Sequence, residues 1–231
     1  MTALQDTGAP LVLREEHDGL VTLRLNRPLQ FNALSEAMLA ALQAELDLIA
    51  QQPDVRCVVL AAEGKAFCAG HDLRQMQATR RLDYYQTLFA QCSRVMQAIQ
   101  TLPVPVIARV HGSATPSVAL SRNVSTKRAF DMLVTGRFID ADTAADWGLV
   151  NETVADAALD EAVARLAQQI MAKSPTAVRY GKQMFYRQRQ LPLDEAYAYA
   201  GDVMARNMME EDADEGVTAF LEKRPPSWAR P

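Results

Sequence analysis

Residues 55–73, VRCVVLAAEGKAFCAGHDL, constrain the fold more than any other stretch of the chain. The unbroken apolar run Val55, Cys57, Val58, Val59, Leu60, Ala61 has the length and β-branching of a strand buried on both faces. A turn with Gly64 follows, then the small residues Cys68, Ala69 and Gly70, and Asp72 stands where it can cap a helix starting at Leu73. Small side chains before a helix leave backbone N–H groups open to a ligand, at a point where the helix dipole favours negative charge. A site that stabilises a developing oxyanion is built this way. A tight strand-to-helix turn with glycines for steric reasons has the same spacing, and spacing alone leaves both readings open.

The rest of the chain alternates strand and helix before turning helical. Two alternating strands flank Asp18-Gly19 between Leu11 and Asn26, with Val21, Leu23 and Leu25 on one side. Ser35 caps a helix whose apolar positions are Met38, Leu39, Leu42, Leu46 and Ile49, ending before Pro53. After the 55–73 segment a second amphipathic helix runs from Leu82 to Gln100, with Leu82, Phe89, Cys92, Met96 and Ile99 as its apolar set. Pro103 and Pro105 introduce a strand over Val106 to Val110. This order implies an α/β architecture. Asp140 and Gly148 bracket a short helix and need no function. Beyond Val154, Leu159, Val163, Leu166 and Ile170 mark one helix, Ser174-Pro175 starts another, and Pro192 opens a third. Asp212 and Glu215 have capping-box spacing before the last. Met184, Phe185, Tyr186, Tyr197, Tyr199, Met204, Met208 and Met209 make these helices rich in large apolar groups, for an internal core or a subunit interface.

Bulk properties exclude several classes. A chain of 231 residues is long enough for a sizeable core. A net charge of −4 leaves no basic footprint for nucleic acid. No run of apolar residues is long enough to span a membrane. The segment MTALQDTGAP has neither a secretory nor a transit pattern, which points to the cytoplasm. Cys57, Cys68 and Cys92 read as reduced core thiols, neither a disulfide frame nor a metal site.

AFCAGHDL resembles the AFxAGxDL signature of the crotonase (enoyl-CoA hydratase/isomerase) superfamily, and other segments resemble it in the same order. They are RLNRPLQFNALS from Arg24, LPVPVIARVHG from Leu102, RAFDMLVTGRFIDADTAADWGLVNETV from Arg128, SPTAVRYGK from Ser174 and EGVTAFLEKRPPSW from Glu215. The resemblance implies a crotonase-type spiral of ββα units over residues 1–155. A C-terminal helical region, 156–231, would form trimers or pairs of trimers. It implies an acyl-CoA ligand, no metal, and no cofactor apart from the coenzyme A of the substrate.

It also implies the site. The N–H of Ala69 is the oxyanion donor, with the Gly70 and His71 backbone lining the same turn. Asn32, Ala33 and Leu34 flank the acyl-CoA, with Ala66, Cys68, His71, Asp72 and Leu73 around the turn. Arg27, Lys223 and Arg224 are candidates for CoA phosphates or simply for surface positions. Asp72 is better explained as a helix cap than as a catalyst, His111 as a hydrogen-bonded core residue, and the His71 side chain as a polar rim.

One departure stands out. Between His111-Gly112 and Ser117 the family has a further turn, strand and helix, roughly forty residues or one supersecondary unit. Deleting such a unit from a single core costs far more than the ~5–15 kcal/mol stability of a domain, which favours an internal segment missing from the 231 letters over a true deletion. The second oxyanion donor and the catalytic carboxylates belong to that unit: Pro116 has no N–H, and no Asp or Glu lies between Arg109 and Arg128. The expected activity is enoyl-CoA hydratase. Isomerase, thioesterase and non-catalytic acyl-CoA binding are the alternatives.

Overall fold

The computed structural model describes residues 8–111 and 117–229, so the junction at 112–116 lies outside the described residues. Four strands form one sheet in the order β1-β2-β3-β4: Val12–His17, Leu20–Leu25, Cys57–Ala62 and Val106–Ala108. The first two pair antiparallel across the Asp18-Gly19 turn; the other pairings are parallel. Gly19 is required there, since at φ +80 an added Cβ would meet the Asp54 carbonyl at 2.8 Å.

Every residue of β3 is buried, and its alternation divides the core in two. Val58, Leu60 and Ala62 join Val21, Leu23 and Leu25 against helix α1 (Glu36–Ala50) and helix α3 (Leu82–Thr101). Cys57, Val59 and Ala61 face the opposite way, towards Ala167, Val163 and Ile170 of helix α7 (Leu159–Met171). A strand covered on both faces must be apolar throughout, which is why this run shows no polar alternation. Between them lie α2 (Leu73–Ala78), α4 (Ser117–Asn123), α5 (Thr126–Thr135) and α6 (Ala141–Asp146). After α7 come α8 (Pro175–Gln188), α9 (Leu193–Asn207) and α10 (Glu211–Glu222).

Ser35 caps α1 by accepting from the Met38 N–H, and the five apolar positions read from its periodicity are all buried. Asp140 likewise caps α6 through the Thr143 N–H. Elsewhere the expectations need correction. In α3 the wholly buried residues are Leu88 and Val95, whereas Leu82 is 73% exposed and Phe89 44%. Cys92 and Ile99 of the expected set pack partly covered against the same core. The strand expected over Val106 to Val110 stops at Ala108. The Asp212–Glu215 capping box does not form. Asp212 instead accepts from the Ser174 hydroxyl (2.6 Å) and the Thr176 N–H (3.2 Å), capping α8 across the helix pair, and Glu215 pairs with Arg224. Of the large groups weighed for an internal core or a subunit interface, Phe185 of α8, Tyr197 and Met204 of α9, and Met208 and Met209 just beyond α9 are exposed on the single chain.

Three cations tie the helical region to the sheet by binding backbone carbonyls. Arg56 donates to the Met171 and Lys173 carbonyls, Arg179 to those of Pro53 and Val55, and Lys182 to those of Ile99 (3.2 Å) and Val104 (2.7 Å). Burial pushes the Lys182 ammonium down to about 8 and the adjacent Cys57 thiol up to about 11.

Candidate functional site

Two segments run side by side to make the site, 27–36 leading into α1 and 63–75 leading into α2. Phe31 and Asn32 both take left-handed backbone (φ 49 and 53), which bends the first segment sharply after the Pro28–Gln30 turn. The bend is bolted from inside by Asn32, whose side chain is wholly buried. Its Nδ2 donates to the Glu63 and Ala66 carbonyls, both at 2.8 Å, and its Oδ1 accepts from the Arg27 N–H at 2.8 Å. Gly64 closes the same contact, since a Cβ there would stand 2.6 Å from Pro28 Cβ. His111 adds a tie from the end of β4, its Nε2 lying 2.9 Å from the Gly64 carbonyl.

The signature turn then pairs with the bend as a short parallel bridge between Leu34 and His71. The Leu34 N–H donates to the Gly70 carbonyl (2.8 Å), and the Asp72 N–H donates to the Leu34 carbonyl (3.3 Å). In a parallel bridge the residue opposite sends its own N–H and C=O the other way. The His71 N–H therefore points away from Leu34 and has no partner among the described residues. The neighbouring amides are occupied. Ala69 donates to the Phe31 carbonyl at 3.0 Å, and the Gly70 N–H turns back to the Cys68 sulfur at 3.4 Å. Gly70 (φ 89) supplies the left-handed step that lets the chain reverse here.

This corrects the donor expected from the motif. The Ala69 N–H is spent inside the fold, whereas that of His71 faces away from the Leu34 bridge with no partner among the described residues. The only signal in the sequence was the unspecified position between glycine and aspartate in the AFxAGxDL signature that this segment resembles.

Asp72 is the cap that was expected, with Oδ1 accepting from the Arg74 and Gln75 N–H groups. Its other oxygen lies 3.5 Å from Arg27, whose guanidinium also donates to the Ser35 hydroxyl at 3.1 Å. Arg27 thus joins the starts of two helices. The side chains of Arg27 and Asn32, expected against the ligand, are committed to the scaffold. Ala33 and Leu34 contribute through the bridge, while Leu73 is exposed beside the turn. Ala66 carries its carbonyl to Asn32, and burial pushes the half-buried Cys68 thiol upward. The His71 ring packs edge-on against Phe89, with ring centroids 5.1 Å apart, and its Nδ1 is buried without a hydrogen-bond partner. Burial lowers its affinity for a proton, opposed by the nearby Leu34 backbone, so the ring favours the neutral form.

Among the described residues no group of His, Cys, Asp and Glu is arranged to hold a metal ion. No helix among them is long and apolar enough to cross a membrane. Lys223 caps the end of α10 in left-handed backbone (φ 54). Arg224 is committed to Glu215 through two bonds of 2.7 and 2.8 Å and to Glu222 at 2.6 Å.

Comparison with known proteins decides what this turn belongs to. Two descriptions of one family, Enoyl-CoA hydratase/isomerase, match residues 20–115 and 113–231. An "Enoyl-CoA hydratase domain-containing protein 3, mitochondrial" from Xenopus laevis is 35% identical, over 95% of this chain and 86% of its own length. The chain belongs to the enoyl-CoA hydratase/isomerase family, within the crotonase superfamily. The crystal structure of an enoyl-CoA hydratase from Mycobacterium smegmatis superposes with a TM-score of 0.93 at 49% identity, covering 96% of this chain and all of that one. The human domain-containing protein 3 structure gives 0.90 at 34% identity, over 94% of this chain and all of that one.

The family comparison also bears on the short junction. The Xenopus alignment spans 253 positions, whereas 95% of 231 residues is about 219, so about 34 residues of the relative have no counterpart here. The two family matches overlap at residues 113–115, beside the junction at which the resemblance implies a missing unit.

Proposed function

We propose that this protein binds an acyl-CoA thioester whose carbonyl oxygen accepts a hydrogen bond from the His71 N–H. Family membership supports the ligand class, and the outward-facing His71 amide, which has no partner among the described residues, supports the atom. When water adds to the 2,3-bond of an enoyl-CoA, negative charge collects on the thioester oxygen. A fixed donor aimed at that oxygen stabilises the enolate more than the neutral substrate and so accelerates the step. The amide is held by the Leu34 bridge and the Asn32 bolt, so it need not reorganise during reaction. A neutral His71 ring leaves the polarisation to the peptide. No metal or redox cofactor enters this reading, and the exposed apolar residues of α8 and α9 suit the subunit contacts of a trimer or a pair of trimers.

Hydration of 2-enoyl-CoA is the activity proposed. It is tested with crotonyl-CoA, which loses its enoyl-thioester absorbance as 3-hydroxyacyl-CoA forms. Replacing the 70–71 peptide by an ester removes the His71 N–H and weakens the Gly70 carbonyl as the acceptor of the Leu34 N–H. Turnover should fall on the order of 10²–10³-fold, the usual cost of one oxyanion donor. The same exchange at residue 69 should weaken the fold without that loss. Equal turnover in the residue-71 ester and the parent protein would refute the assignment. The absence of any Asp or Glu between Arg109 and Arg128 favours a second reading, an acyl-CoA binder without turnover. Calorimetric binding of butyryl-CoA with no consumption of crotonyl-CoA would decide for it.

A further inference from the structure

Helix α2, which carries the signature turn, has almost nothing apolar to hold it. It spans six residues with none fully buried, Leu73 is exposed, and only Met76 reaches the main core, partly covered. Its placement rests on polar ties, and one of them is reciprocal. Gln75 accepts from the Glu36 N–H through Oε1 (3.0 Å), and it donates from Nε2 to the Glu36 carboxylate (2.8 Å). One side chain thereby satisfies an open amide in the first turn of α1, and the first residue of α1 fastens α2 in return. The Tyr84 hydroxyl of α3 donates to the same Glu36 oxygen (3.2 Å), and Gln91 donates to the Glu36 carbonyl (2.9 Å), so three helices meet at this pair.

We propose that Gln75, through its two-way pairing with Glu36, is the residue that sets the register of the signature turn against α1 and so positions the His71 N–H for a thioester carbonyl. This rests on the reading of that amide given above. The segments 31–36 and 69–75 are joined at Phe31–Ala69, at Leu34–His71 and at Glu36–Gln75. The first two ties are backbone bonds that any sequence could make. The third depends on side chains and lies on the α2 side of the free amide. Since α1 is anchored by five buried residues and α2 by none, loosening this pair moves the turn and spares the core.

The test is a titration of the ¹⁵N-labelled protein with butyryl-CoA, followed at the His71 amide resonance. In Gln75→Glu two carboxylates face each other, and the affinity should fall about tenfold, the scale of one close pair coupling. The double exchange Glu36→Gln with Gln75→Glu restores donor and acceptor in reversed order and should bring affinity back to within about twofold. Gln75→Leu, which removes both bonds without adding charge, should weaken binding in the same direction. The urea midpoint of each variant should stay near the parent value. Parent-like affinity in both single variants, or a double exchange no better than Gln75→Glu, overturns the role of Gln75. A parent His71 amide that does not respond to butyryl-CoA overturns the site reading itself, and the two failures are thereby told apart.

Discussion

Replacing Asn32 by alanine removes three hydrogen bonds at one fully buried point. Two carbonyls, Glu63 and Ala66, and the Arg27 N–H then lose their partner together. Each buried group left unpaired costs roughly 1–3 kcal/mol, partly offset because the amide no longer needs desolvating. Alanine also tolerates the left-handed backbone (φ 53) less well than asparagine, a penalty of about 1 kcal/mol. The expected loss is about 3–5 kcal/mol, a large share of a domain's ~5–15 kcal/mol. Asn32→Asp is sharper, because shape is retained while the donor becomes an oxygen facing two carbonyl oxygens. Its carboxyl must have a raised proton affinity in the folded state. The native form then binds more protons than the unfolded one, so the variant loses stability as pH rises above the ordinary carboxyl range and regains it on acidification. Urea unfolding from pH 4 to 8 measures this against the parent protein at each pH. Variants within about 0.5 kcal/mol of the parent, the range of an ordinary surface substitution, would show that Asn32 is no bolt. An Asn32→Asp deficit that does not change with pH would refute the geometry assigned to Nδ2.

Three further outcomes are expected of the same structure. Lys182, pushed down to about 8 by burial from an ordinary 10.5, binds fewer protons folded than unfolded between those values. The parent protein should therefore gain stability over Lys182→Met as pH rises from 8 to 10.5, by at most about 3 kcal/mol because its two carbonyl partners favour the ammonium; a constant difference in urea unfolding would be contrary. Glu215, held to about 2 by Arg224 and then by the Ser227 N–H, should show that midpoint in a ¹³C carboxyl titration and move towards 4.5 in Arg224→Ala. Its depressed proton affinity means that its contribution is present at neutral pH and is lost as pH falls through about 2. Asp72→Ala removes the cap of α2 and one contact of Arg27, and should raise the Kd for butyryl-CoA more than it lowers the urea midpoint, as measured by calorimetry and denaturation together.

The frame of the molecule was legible in the chain because its causes are local or periodic. The apolar spacing of α1, the Asp18-Gly19 hairpin and the unbroken apolar β3 each state in sequence what they bury, and each is found as read. Misreadings arose where a residue's partner is distant in sequence. Asp212 has the spacing to cap its own helix, yet the exposed amides of α8, 36 residues away, reach it first. Phe89 has helical spacing with Cys92 and Met96, yet Cys92 packs against the core while Phe89 and Met96 are exposed. Asn32 and Arg27 stand in a loop associated with ligand, and only the folded arrangement shows that their polar atoms are already used.

The signature turn illustrates why a motif read as letters does not say which of its amides is free for chemistry. AFCAGHDL encodes a shape: small residues so that the chain can pass close, a glycine for the left-handed step, and an aspartate to cap helix α2. Any of three amides, those of Ala69, Gly70 and His71, fits that shape by spacing. What separates them is the parallel bridge to Leu34, since pairing through residues 70 and 72 turns the amide of 71 outwards, while the bend at Phe31 claims that of 69. On the reading proposed above, the side chain at 71 is free to vary, because a thioester oxygen would meet only the backbone there. A substitution series at His71 that keeps the peptide should accordingly change acyl-CoA affinity far less than the single exchange of its N–H for an ester oxygen.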